Sequence, residues 1–358
     1  MRSPRHAVPA MLLAAAVALA TAACTRAESS TDAPAADQGP AAELRIGYFP
    51  NVTHAAALIG VERGLFAQHL GTTKLTTQTF NAGPEAVNAL LGGSLDISFI
   101  GSGPAINTFA KSGGEAVRLI SGATSGGAQL VARRGITEPE QLRGRSVATP
   151  QLGNTQDIAL KKWLAQHDLA IGTGADRVTV VNADNPQTLE AFRGGQIDAA
   201  WLPEPWSSRL VRDAGARVLL DERQLWPGGA FPTTVVVVRT AFLAEHPQTV
   251  RAFLSGLLDA TEWASANRDQ ARDVVNAALG ELTGKPLSPP VIERAFGNIT
   301  LTVDPLAATF PQLARDSVTA GVAKSEPNLA GLVDLDQLNA VLAGAGMPAV
   351  DAAGLDRK

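Results

Sequence analysis

The chain has 358 residues, 45% of them hydrophobic and 18% charged, with a formal net charge of −4. That length and apolar content suffice for two domains, each with its own core. The mildly acidic balance supplies no basic face for a nucleic-acid backbone, so that class of partner is excluded.

Residues 1–23 read as an export signal. Arg2 and Arg5 precede an apolar run from Ala10 to Ala20, too short for a membrane-spanning helix. Thr21, Ala22 and Ala23 lead into Cys24, the single cysteine. A lone thiol in an exported chain makes no internal disulfide and no cysteine-based metal site. The stretch resembles the lipobox of bacterial lipoproteins, although Thr21 stands where leucine is most often found. The resemblance implies a lipid on Cys24 that anchors the protein to the membrane on its extracytoplasmic face. Ordinary cleavage near Ala23 beside an incidental cysteine is the alternative. Removing the signal takes two arginines and no acid, so the net charge goes from −4 to −6. Residues 24–42, small, polar and proline-containing, read as a flexible tether.

Folding is expected from Leu44. LRIGYF alternates as a strand does, and PNVTHAAALIGVERGLF reads as loop into helix. LTTQTF is a strand. AGPEAVNALLGG is a helix with Pro84 in its first turn, and Gly92 stops it. LDISFI is a buried strand, and SGPAINTFAKSGG opens a further helix. This alternation indicates an α/β lobe with a mostly parallel sheet. A second run repeats it: SVATP, a helix capped by Asn154, VTVVN, a helix capped by Asn185, IDAAWL, and the helix EPWSSRLVRDAG. GGSLDISFI from Gly92 returns 102 residues later as GGQIDAAWL from Gly194, with Asp96 falling on Asp198. Two similar lobes are therefore expected.

The strand-like runs 128–134 and 233–242 are expected to lie side by side as the hinge. Residues 43–134 then form the first part of lobe 1, 135–229 lobe 2, and 230–345 the return strand and helical remainder of lobe 1. That remainder reads as mostly helical, with apolar residues at helical spacing along HPQTVRAFLSGLLDATEWASANRDQARDVVNAAL and Pro247 near its start, and 346–358 reads as a loose tail.

Ligands of open α/β sheets sit beyond the carboxyl ends of the strands. Here those ends are short loops rich in small and hydroxyl residues, several of them just before a helix, and none contains Lys or Arg. A helix N-terminus offers free N–H groups and partial positive charge, so it holds an anion without a cationic side chain. The lobe 1 candidates are Asn51, His54, Ser102, Gly103, Ser125 and Gly126. Those of lobe 2 are Gln151, Asn154, Thr155, Glu204 and Trp206. Taken singly, Ser102 and Asn154 could be plain helix caps and His54 a surface residue; Trp206 could be core. Glu204 either caps its own helix or faces the cleft, where it would favour an amine.

The stretches LRIGYFPN, FNAGPEAVNALLGGSLDISFIGSGPAI, SGATSGGAQLVAR, LRGRSVATPQLGNTQDIALKKWL and TLEAFRGGQIDAAWLPEPW, spread from Leu44 to beyond Pro305, resemble the lipid-anchored substrate-binding proteins of ABC importers. The similarity is to the branch that binds nitrate, taurine and aliphatic sulfonates. It implies a two-lobed periplasmic-binding-protein-like fold of the second type, α/β, with the ligand cleft between lobes that close by hinge motion. It also implies a monomer without metal or cofactor that docks on permease subunits with their ATPase. The solute would be a small anionic or zwitterionic organic compound, an aliphatic sulfonate or one like taurine. Nitrate, a pyrimidine precursor or a sensing role remain as alternatives, since Glu204 replaces the aspartate common before that proline. An enzyme on the same fold would need His54 and Glu204 as an acid–base pair, because no HExxH and no G-x-S-x-G is present.

Overall fold

A computed structural model of the chain describes residues 36–357. The export signal, Cys24 and the tether up to residue 35 lie outside the described residues. No described helix is long and apolar enough to cross a membrane.

The chain lays down β1 (Glu43–Tyr48), α1 (Ala55–Glu62), α2 (Leu65–Leu70), β2 (Lys74–Thr79), α3 (Gly83–Leu91), β3 (Ile97–Ile100), α4 (Ser102–Lys111) and β4 (Val117–Gly126). It crosses to β5 (Ala128–Ala132), β6 (Ser146–Thr149), α5 (Thr155–Gln166), β7 (Thr179–Asn182), α6 (Asn185–Arg193), β8 (Ala199–Pro203), α7 (Trp206–Asp213) and β9 (Arg217–Asp221). The return comprises β10 (Pro232–Arg239), α8 (Thr240–Glu245), α9 (Pro247–Ala266), α10 (Arg268–Thr283), α11 (Pro289–Gly297), β11 (Ile299–Leu301), α12 (Phe310–Thr319) and α13 (Asp336–Gly344).

Two sheets result, ordered β11-β4-β10-β3-β1-β2 and β7-β6-β8-β5-β9. In each, three strands are parallel and the strand arriving from the other lobe is inserted antiparallel: β10 between β3 and β4, β5 between β8 and β9. The two lobes thus share one topology. The repeated aspartates do the same job in both. Asp96 accepts from the Arg45 N–H at 3.0 Å, and Asp198 accepts from the Ser146 N–H at 3.0 Å. Each carboxylate ties the start of the third strand of its lobe to the start of the first.

Several expectations are corrected. The runs 128–134 and 233–242 do not pair; each contributes a strand to a different sheet, so the outward crossing lies at Gly127 rather than after residue 134. Gly127 has φ +78°, and a Cβ there would come within 2.5 Å of Ile299, so only glycine makes this turn without strain. The hinge segments meet only at their ends, where Phe231 accepts from the Gly126 N–H and the Thr233 hydroxyl donates to the Gly126 carbonyl. Asp184, not Asn185, occupies the cap position of α6. The stretch after Pro247 is helical as expected, divided at Asn267 into α9 and α10. Residues 37–42 are not tether: the Gln38 N–H donates to Glu245, and the Ala41 N–H donates to Thr249. Neither is the tail loose, since the Leu355 carbonyl accepts from Gly331 and Val333 and its side chain packs on the core.

The cores follow from the pattern. Every residue of β3 is buried, as are the valines Val235 to Val238 of β10. Phe66 stacks on Phe253 at 4.9 Å, with Phe99 edge-on to Phe253 at 5.9 Å. Each such ring contributes about 1.5–3 kcal/mol by burial. In lobe 2 the fully buried Trp201 donates to Glu222 at 2.8 Å. Glu222 is itself 2% exposed, and burial pushes its carboxyl from 4.5 up to about 7. The folded state therefore favours the protonated acid. The stability Glu222 contributes is complete below pH 4.5 and is lost as pH rises through 7. Glu222→Gln, which keeps the acceptor for Trp201, is expected to remove that dependence. Relative to the variant, the wild type should lose on the order of 3 kcal/mol between pH 4 and 8. Urea melts across that range check it, and parallel pH profiles contradict it.

Candidate functional site

Four helices begin at one point between the lobes. Their cap positions are His54 for α1, Gly101 for α4, Asn154 for α5 and Asp184 for α6. His54, Gly101, Asn154, Thr155 and Asn185 line a common pocket of about 20 Å³. Phe49, Asn51, Thr53 and Asn81 complete its lobe 1 side, Gln156 extends the lobe 2 side, and Thr233 and Thr234 enter from β10. No Lys, Arg, Asp or Glu lines it. One buried pocket-lining atom lacks a hydrogen-bond partner, the acceptor Asn185 Oδ1, and so does Ser102 Oγ at the start of α4 behind the lining. Leaving such an atom unpaired costs about 1–3 kcal/mol, which a ligand or water at this place would recover.

His54 is 2% exposed, and burial pushes it from 6.5 down to about 3. The ring is neutral at ordinary pH. Its Nδ1 accepts from the Phe49 N–H at 3.2 Å, which puts the remaining proton on Nε2. Nε2 has no protein partner among the described residues, so His54 brings a free neutral donor to the pocket. An anion placed here would meet helix N-termini, hydroxyls, amides and one imidazole N–H, with no cationic side chain.

The lobes stand closed around this point. The Gly103 N–H donates to Thr155 Oγ1 at 3.2 Å, and the Asn107 amide donates to the Gly153 carbonyl at 3.3 Å. Gln151 donates to Glu85 at 3.0 Å and to Asp184 at 3.2 Å. A Cβ on Gly101 would collide with Thr155 Oγ1, so the bare backbone there is a condition of closure.

Of the residues chosen from the sequence, Asn51, His54, Asn154 and Thr155 are brought together around the pocket. Trp206 instead joins Asn51 in a larger outer cleft of about 820 Å³, where its indole N–H donates to Asn51 Oδ1 at 2.8 Å. Gly103 and Gln151 bridge the lobes. Ser125 and Gly126 belong to the hinge, where Ser125 Oγ accepts from the Phe231 N–H at 3.3 Å. Ser102 opens α4, although it is not among the pocket-lining residues. Glu204 resolves the choice between cap and cleft. It is fully buried, accepts from the Ser208 N–H at 3.1 Å, from the Asn298 amide at 2.7 Å and from Arg294 at 3.1 Å. Its oxygens are taken, so it faces no ligand amine and pairs with no histidine; the His54–Glu204 acid–base pair does not form. Asn81, Gln156, Asn185, Thr233 and Thr234 were missed. The two threonines sit on a strand whose place beside the site depends on a return crossing that no local pattern marks.

The model of a family described as NMT1-like matches residues 37–279. The taurine-binding periplasmic protein of Escherichia coli (strain K12) is 30% identical over 228 residues, 62% of this chain and 67% of that protein. Among solved structures, the alkanesulfonate-binding protein SsuA from Xanthomonas axonopodis pv. citri, bound to MOPS, is similar with a TM-score of 0.67 at 23% identity, covering 82% of this chain and 97% of that one. The periplasmic nitrate-binding protein NrtA from Synechocystis PCC 6803 gives a TM-score of 0.70 at 15% identity, covering 86% and 91%. At these identities the two structures speak for the fold.

Proposed function

The chain belongs to the NMT1-like family of ABC-importer solute-binding proteins, and from that premise we propose that its solute is a small organic anion, a sulfonate, gripped at the four helix starts. The observation that carries this reading is the pocket itself: it is uncharged, lined from both lobes at helix starts, and offered one free neutral donor by His54 Nε2. A tetrahedral oxyanion suits such a set, because each oxygen can take N–H and O–H donors without a full counter-charge. The relatives that bind taurine, alkanesulfonate and nitrate support an anion over a pyrimidine. Recognition of an amine through Glu204 is not part of the proposal, since Arg294 already holds that carboxylate.

The mechanism follows from closure. An anion that contacts lobe 1 at His54 and lobe 2 at Asn154 and Thr155 favours the closed arrangement by its differential affinity for it. The closed protein then presents both lobes to permease subunits, with a lipid on Cys24 keeping it at the membrane. Thermal unfolding of the unlipidated protein with taurine, alkanesulfonates, nitrate, phosphonates and pyrimidines tests the solute. A sulfonate at a hundred times its Kd should stabilise by about 2.7 kcal/mol. Stabilisation by a pyrimidine alone would overturn the assignment.

A further inference from the structure

The inner pocket and the outer cleft are two parts of one opening. Asn51, Asn81 and Asn185 line both. Their sizes differ sharply. About 20 Å³ leaves room for nothing larger than a small head group of a solute, whereas about 820 Å³ is room for an organic body.

The outer cleft carries the charges that the inner pocket lacks. Arg193 on α6, Arg209 on α7 and Lys285 after α10 line it. The Arg209 guanidinium lies 4.8 Å over the Trp206 ring and is 29% exposed. Its ion-pair partner among the described residues, Asp213, stands 3.7 Å from Nε, beyond good hydrogen-bond distance. Burial disfavours the Arg209 charge most and Arg193 nearby adds to that, while Asp213 and Glu190 offset part of it. Arg193 is paired with Glu190 at 2.8 Å, so Arg209, half-buried on an aromatic face with its acid 3.7 Å away, is the guanidinium left to give an anion charge-assisted hydrogen bonds, with Arg193 beside it. The acid at the opposite wall does not compete: Glu85 already accepts from Gln151 at 3.0 Å and from the Asn81 N–H at 3.2 Å.

We propose that the outer cleft is a second ligand subsite, in which Trp206 covers the body of the solute and Arg209, with Arg193, takes a distal anionic group. The substrate class is then a two-headed organic acid, one head in the inner pocket and the other at the arginines. This rests on the reading of the inner pocket as an anion site.

The probes are alkane-1-sulfonates and α,ω-alkanedisulfonates of two to six carbons, titrated calorimetrically into the wild type, Arg209→Gln, Arg209→Lys and Arg193→Gln. At one chain length the disulfonate is expected to bind about tenfold tighter than its monosulfonate, a difference of about 1.4 kcal/mol. Arg209→Gln should collapse that ratio towards one, and Arg209→Lys should restore part of it. Should Arg209→Gln fold poorly, the exposed Arg193 gives the second reading, with a partial loss of the ratio. Disulfonates no tighter than monosulfonates at every length, or a ratio that survives in both glutamine variants, overturns the subsite alone. Failure of every monosulfonate and disulfonate to bind overturns the inner anion site together with it.

Discussion

Arg294→Met is expected to lower stability by about 3–5 kcal/mol, the largest loss of any single change discussed for this chain. Arg294, on α11 of lobe 1, donates to Glu204 at 3.1 Å, to Ser208 Oγ at 2.7 Å and to Gln129 at 2.6 Å, all in lobe 2. Glu204 is fully buried, so removing its cation strands a charge where water cannot reach. Asn298 and the Ser208 N–H still bind the carboxylate, which puts the loss toward the lower end of that range. Glu204→Gln combined with Arg294→Met should recover much of it, because the desolvated charge then disappears along with its partner. Urea unfolding followed by tryptophan fluorescence measures both. A loss below about 1 kcal/mol for the single variant would show the pair to be solvated and would break the link drawn between α11 and lobe 2.

The second large effect falls on binding. His54→Phe keeps an aromatic ring beside Phe49 but deletes the Nε2 donor, and anion affinity should fall roughly 10- to 100-fold, as expected for one hydrogen bond to a charged group. The pH dependence separates this account from an ordinary cationic histidine. With its pKa pushed down to about 3, His54 stays neutral from pH 5 to 8, and its contribution to affinity should be flat across that range. A charged imidazole would instead lose its hold on an anion as pH rose through about 6.5. Titration of the wild type at several pH values decides the matter. The same depressed pKa makes the folded state less favourable as pH falls from 6.5 toward 3, because the buried ring resists protonation.

Much of the architecture could be read before any coordinates, and for a local reason. The repeat from Gly92 and from Gly194 carries a helix stop, a buried strand and an aspartate whose bonding is set within its own lobe. Helix starts at Ser102 and Thr155 are likewise local, being fixed by the residues just before them. Misplaced features depend on partners far along the chain. The valine run of β10 and the run AQLVA of β5 look like natural neighbours. Each is nevertheless captured by the sheet of the lobe that follows it in the chain, a choice decided by the crossings at Gly127 and near residue 230 rather than by either strand. Glu204 looked free because its cation lies 90 residues downstream on a helix with no other mark of function. The tail residues Val350 to Leu355 are short and isolated, and their docking depends on a surface formed by the rest of lobe 1. Arg193 and Arg209 were passed over because the loops chosen as site candidates contain neither.

The most direct test of the central claim is a crystal structure of the protein grown with ethanesulfonate. The account predicts sulfonate density between the lobes, with oxygens within hydrogen-bond distance of His54 Nε2 and of the backbone at the starts of α4 and α5. A second groove of about 690 Å³ separates Lys162 and Trp226 from the segment around Leu306. Sulfonate found there, with the four helix starts empty, would contradict the account.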